Sequence, residues 1–195
     1  MRSSLLFAVL AAVGLSAVAF AQLAAPMPDK EWKNWLEQVR PLMLPAEIAQ
    51  VKQTAPSERA DFREAFWRAR NPDPASAQNA VRAELEKRVR TAPSRFHYNG
   101  TGPWNDCGRV WLILGEPTRV GSVAGTSVPP RFYDGAVNDI GAGGTVLWIY
   151  RHHPRLPKTQ EEFTFEFDAR CEWATTRPAD RLLEQAAASY VAGVK

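Results

Sequence analysis

GPWNDCGRVWLILGEP, Gly102 to Pro117, is the stretch on which the fold turns, because it sets a short apolar run between two Gly/Pro punctuated ends. VWLILG is rich in branched and aromatic side chains and is short for a helix. It therefore predicts a buried strand between two turns. On that reading Asp106 lies at the first turn, where a carboxylate accepts backbone N–H groups, and Arg109 opens the strand within reach of it. Two roles are open to the pair. It is either an acid or anion clamp at the mouth of a pocket, or a latch in which Asp106 holds the turn and Arg109 holds Asp106.

Toward the C-terminus, TVLWIY predicts a second strand and EFTFEFDA a third. In the third, Phe163, Phe165 and Phe167 face one way and Thr164, Glu166 and Asp168 the other, giving one covered and one wetter face. The polar connection RHHPRLPKTQE suits an antiparallel pair. Between the first two strands, residues 119–144 are rich in Gly, Ser and Pro and predict a long loop. Loops of such length are usually functional or disordered. Arg131, Tyr133 and Asp134 are its candidate recognition residues. PADRLLEQAAASYV predicts a C-terminal helix that docks Leu182, Leu183 and Ala186, or a tail that frays, over 178–195.

Toward the N-terminus the period is helical. DKEWKNWLEQVRPLM places Trp32, Trp35, Leu36 and Val39 on one face, with Asp29 as the cap and Pro41 and Pro45 as the stop. APSERADFREAFWRAR predicts a second helix with Phe62, Ala65, Phe66 and Ala69 inward, ended by NPDP. ASAQNAVRAELEKRVRTAPSRF predicts a third, with Ala77, Val81, Leu85 and Val89 on one face and Glu84–Arg88 and Glu86–Arg90 as i,i+4 pairs. Helices first and strands later define an α+β fold. Three N-terminal helices are expected to pack on a small, mainly antiparallel sheet, with a C-terminal helix added.

The first 21 residues carry one charge, Arg2, an apolar core and the A-x-A arrangement of Ala19 and Ala21. They read as a secretory signal peptide cleaved after Ala21, followed by a flexible leader over 22–28. The expected mature chain has no membrane span. It carries 23 basic against 21 acidic side chains, a surplus of +2 that gives no reason to expect nucleic acid or an anionic membrane as partner. An oxidising compartment makes a disulfide between Cys107 and Cys171 an expectation, with two buried free thiols as the alternative. Closing that loop would contribute roughly 4 kcal/mol.

Signatures of nucleophile elbows, phosphate-binding loops and zinc sites are absent. His97, Cys107, His152 and Cys171 have ligand chemistry but unspecific spacing, so no metal and no cofactor is expected. Cys107 with His97 as base is the remaining nucleophile pair.

FWRARNPDPASAQNAVRAELEKRV followed by GPWNDCGRVWLILGEP resembles the GWxTD domain, a family of exported bacterial proteins. Phe66, Trp67, Arg70, Asn71, Pro72 and Pro74 match its first segment, and Arg88 and Val89 the end of its helix. Asp106, Gly108, Arg109, Gly115 and Pro117 match its second segment. Pro103 replaces the naming Trp, with Trp104 displaced by one; Asn105 stands for Thr and Cys107 for Arg. The resemblance spans roughly 32 to 168 of the chain and implies a domain over 29–177 and an exported habitat, without a reaction.

The leading expectation is a non-enzymatic binding or assembly module of the bacterial envelope, periplasmic or extracellular, with an envelope protein as partner. Seven Trp, nine Phe and four Tyr motivate it, together with the long loop. The alternative is an enzyme of unrecognised type using Asp106, Arg109 and His97.

Overall fold

The computed structural model describes residues 26–96, 104–123, 131–133, 144–168, 170–174 and 178–191. The predicted signal peptide, His97, Pro103 and Asp134 lie outside them. Among the described residues no helix is long and apolar enough to cross a membrane.

The fold is α+β, as the order of helical and strand patterns predicts. Helix α1, Asp29–Val39, runs into a 3-10 turn, Arg40–Leu42, and then α2, Pro45–Val51. Pro45 does not end a helix; it opens α2 at the first helical position, where its missing N–H is no loss. Asp29 is likewise the first residue of α1 and not its cap, and its carboxylate takes Arg59 of α3, Arg59–Ala69. α1 and α3 close on an aromatic cluster in which Trp32 stacks on Trp35 and both meet Phe62 edge-on.

Helix α4, Ala80–Arg95, begins later than its periodicity predicts, after Ala77. Asn79 sets the start by accepting Arg82 N–H on Oδ1 at 3.0 Å. Glu84 pairs with Arg88 at 2.9 Å as expected, whereas Glu86 pairs backward with Arg82 at 2.8 Å instead of with Arg90.

The principal correction falls on VWLILG. It is not a strand but the body of helix α5, Asp106–Leu114, in which every residue from Val110 to Leu114 is buried. A short run buried on all sides has no amphipathic period, so helix and strand look alike in it. The helix is decided at its ends. Asn105 Oδ1 accepts Gly108 N–H at 2.9 Å as the N-cap, and Gly115 takes φ +81° at the C-cap. Asp106 and Arg109 therefore lie in a helix's first turn.

A second correction concerns residues 119–144, which are not one loop. They contain β1, Arg119–Val123, and β2, Arg131–Tyr133. With β3, Thr145–Arg151, and β4, Glu162–Phe167, they form an antiparallel sheet in the order β2-β1-β3-β4. Gly121 and Ser122 depress the strand signal of β1. The pairing of Val120 with Trp148 and of Ser122 with Val146 makes it a strand, and those partners are distant in sequence. Val120, Val146, Trp148, Phe165 and Phe167 line the face turned to the helices. Trp148 meets Phe96, which in turn meets Trp111 of α5, with centroids 5.6 and 5.8 Å apart. Helix α6, Pro178–Ala188, docks through Leu183, Ala186 and Ala187; burying a leucine side chain contributes about 2 kcal/mol.

The aromatic richness goes inward. Trp32, Trp35, Trp67, Trp111 and Trp148 are buried, and Trp104 and Trp173 are partly so. Among the described residues the tryptophans therefore build the core.

Candidate functional site

Helix α5 is buried at the centre of the molecule, so both its ends need internal partners for the backbone groups that a helix leaves unpaired. At the N-terminal end, Cys107 and Cys171 are joined as a disulfide with Cα atoms 5.2 Å apart, and Cys107 N–H donates to Cys171 O at 3.3 Å. Asp106 lies against the same turn: its Oδ2 accepts Trp173 N–H at 3.0 Å and its Oδ1 accepts from Arg109 at 3.3 Å. Arg109 also reaches Asp180, in the first turn of α6, at 3.1 Å. The charged pair and the disulfide thus bind one helix end to the turn after β4 and to α6.

At the C-terminal end four side chains from separate parts of the chain meet the last carbonyls. Arg88 donates to Leu112 O at 3.0 Å and Tyr190 Oη donates to Ile113 O at 2.7 Å. His153 Nε2–H donates to Leu114 O at 3.0 Å, and Tyr150 Oη donates to Gly115 O at 2.8 Å. Arg155 N–H donates to His153 Nδ1 at 3.3 Å, so both ring nitrogens are used in the neutral form. Burial holds the His153 imidazole below its ordinary value of 6.5, with Arg155 and Arg88 adding to the effect and the Leu114 carbonyl opposing it.

Arg70 is the third buried anchor. Its side chain is fully buried at the end of α3, where it forks onto both Glu47 oxygens at 2.8 and 2.7 Å and donates to Leu42 O at 2.7 Å. Its guanidinium also lies 3.5 Å from the Phe66 ring centroid. Glu47 Oε2 meanwhile accepts Leu44 N–H at 2.8 Å, so one carboxylate closes the first turn of α2 and neutralises α3's arginine.

Beside these anchors a groove of about 550 Å³ runs between the 40–48 segment and α6. Leu44, Pro45 and Ile48 form one wall and Leu183 and Ala187 the other, and Arg109 reaches it from α5.

Of the sequence-predicted site residues, the structure brings Asp106 and Arg109 together and pairs Cys107 with Cys171, which leaves neither thiol as nucleophile or ligand. Arg131 and Tyr133 fall in β2, at one edge of the sheet. Among the described residues no group of three or more His, Cys, Asp or Glu could hold a metal ion. Sequence reasoning missed Tyr150, His153, Asp180 and Tyr190, whose roles follow from where α5 ends. Asn105 before the run and Gly115 after it were the local signals of that helix.

Compared with known proteins, the chain matches no family model, no curated protein and no solved structure.

Proposed function

We propose that the chain is an exported GWxTD-like domain acting as a non-enzymatic binding or assembly module of the bacterial cell envelope. The observation that carries this reading is that the polar residues of the signature are committed to holding the fold. Asp106 is taken up by Trp173 and Arg109, Arg88 by the end of α5, and Arg70 by Glu47. Asn105 in the place of Thr keeps a residue type that caps helices, and a buried disulfide suits an oxidising compartment. The groove beside α6 supplies a surface for a partner.

Cross-linking and mass spectrometry in the native envelope test the proposal. Recurrent cross-links from α2 and α6 to one envelope protein are expected, and their absence at native abundance would remove the binding role.

The enzyme reading is favoured by one observation, that Arg109 lines the groove. It expects Asp106→Asn to abolish a turnover while the melting temperature stays unchanged. The latch expects the reverse, a loss of about 1 to 2 kcal/mol from an unsatisfied Trp173 N–H and a weakened Arg109 contact.

A further inference from the structure

His153 and the end of α6 are joined by a single residue, Arg155. Its backbone N–H donates to His153 Nδ1 at 3.3 Å, while the same imidazole donates from Nε2 to Leu114 O at 3.0 Å. Only the neutral ring can make both bonds, because an imidazolium has no acceptor. The side chain of Arg155 holds α6. Its guanidinium donates to Ser189 O and to Ser189 Oγ, both at 3.2 Å, and lies 3.3 Å from the centre of the Tyr190 ring. The turn that carries both residues is short, closed by Leu156 N–H on His153 O at 3.1 Å, so a shift of the Arg155 backbone is passed to its side chain.

The charges that act on the ring are those of Arg155, from its own turn, and Arg88, from α4, and Arg88 in turn pairs with Glu84 at 2.9 Å. Tyr150 of β3 meets the ring edge-on at 5.5 Å, and Tyr190 of α6 accepts from Arg88 at 3.2 Å; neither brings a negative charge. The carbonyl end of α5 favours a cation there, and the two arginines oppose it.

We infer that His153 is an acid-sensitive clasp on the C-terminal end of α6: a solvent proton on Nδ1 turns that atom from acceptor to donor, Arg155 N–H gives way, and Arg155 releases Ser189 and Tyr190. Tyr190 Oη keeps its bond to Ile113 O and Leu183 stays buried, so the opening is confined to the last turn. Ala187 and Ala188 of the groove wall lie in that turn, which places the groove next to the clasp.

The test is amide hydrogen exchange on the full chain, read at Ser189, Tyr190 and Val191, whose N–H groups donate to Gln185 O, Ala187 O and Ala188 O. After correction for the intrinsic pH dependence of exchange, their protection should fall about fivefold from about pH 7.5 to about pH 5, the weight of one hydrogen bond given up. His153→Gln should make that protection independent of pH over the same range. Arg155→Ala should lower it already at neutral pH and also remove the pH dependence, because the arm between ring and helix is gone.

Constant protection in the parent chain would overturn the inference, and so would a pH dependence that survives in His153→Gln, which would belong to another group. A pH dependence that survives in Arg155→Ala would overturn it as well, since exchange would then follow unfolding of the whole molecule. If circular dichroism shows that His153→Gln does not fold, the parent chain and Arg155→Ala decide.

Discussion

A Cβ placed on Gly115 would stand 2.7 Å from Nη2 of Arg88. The two residues are far apart in sequence, yet the guanidinium that caps α5 occupies the space where any other side chain would begin. Gly115 also sits at φ +81°, a region that side chains rarely adopt. Gly115→Ala should therefore destabilise the chain by about 2 kcal/mol or more in urea unfolding. In a double-mutant cycle with Arg88→Ala the two losses should fall short of additive, because one change removes the atoms with which the other collides. Strict additivity would show that the contact carries no energy.

Among the described residues, Glu47 and Arg70 form the ion pair with the deepest burial of its cation. Replacing Glu47 by Gln leaves a guanidinium buried without its counter-charge, and a loss of about 3 to 5 kcal/mol is expected. Replacing both partners by Leu and Met should recover much of that loss, since the burial penalty disappears with the charges. Equal stability of Glu47→Gln and the parent chain would mean that the pair is not formed in solution.

The disulfide closes a sequence separation of 64 residues. Its loss in a Cys107→Ala, Cys171→Ala variant should destabilise the fold by roughly 4 kcal/mol, chiefly by freeing the unfolded chain. Intact mass under non-reducing conditions checks the premise: two alkylatable thiols in the native protein would contradict it.

His153 makes stability depend on pH. Burial keeps the folded-state value below 6.5, so above that pH neither state binds the proton and the neutral ring keeps both its hydrogen bonds. As the pH falls below 6.5, the unfolded chain takes up a proton that the folded chain resists, and stability declines until the folded-state value is reached. Melting temperatures of the parent and His153→Gln, compared from about pH 8 to about pH 5, should draw together as the pH drops. A constant gap between them would refute the coupling.

Much of the periphery was legible in the sequence. α1, α3, α4 and α6 each carry one apolar face, and β4 alternates Phe163, Phe165 and Phe167 with polar residues. These elements meet water on one side, and that asymmetry writes a period into the chain. Cys107 and Cys171 were legible as a pair because the only two cysteines share an expected compartment. The pairing of Asp106 with Arg109 was legible too, although its setting on a helix was not.

By itself the sequence determined the α+β class and the amphipathic elements and limited any disulfide to one pairing, because each depends on local spacing or residue count. Only the tertiary structure decided that VWLILG is helical, that Arg119–Val123 is a strand, and that Arg88, Tyr150, His153 and Tyr190 converge on one helix end. The physical reason is burial on every side. The run from Val110 to Leu114 in α5 has no solvent face to imprint a period, and β1 owes its pairing to partners remote in sequence. Both depend on neighbours that are assembled only when the chain folds.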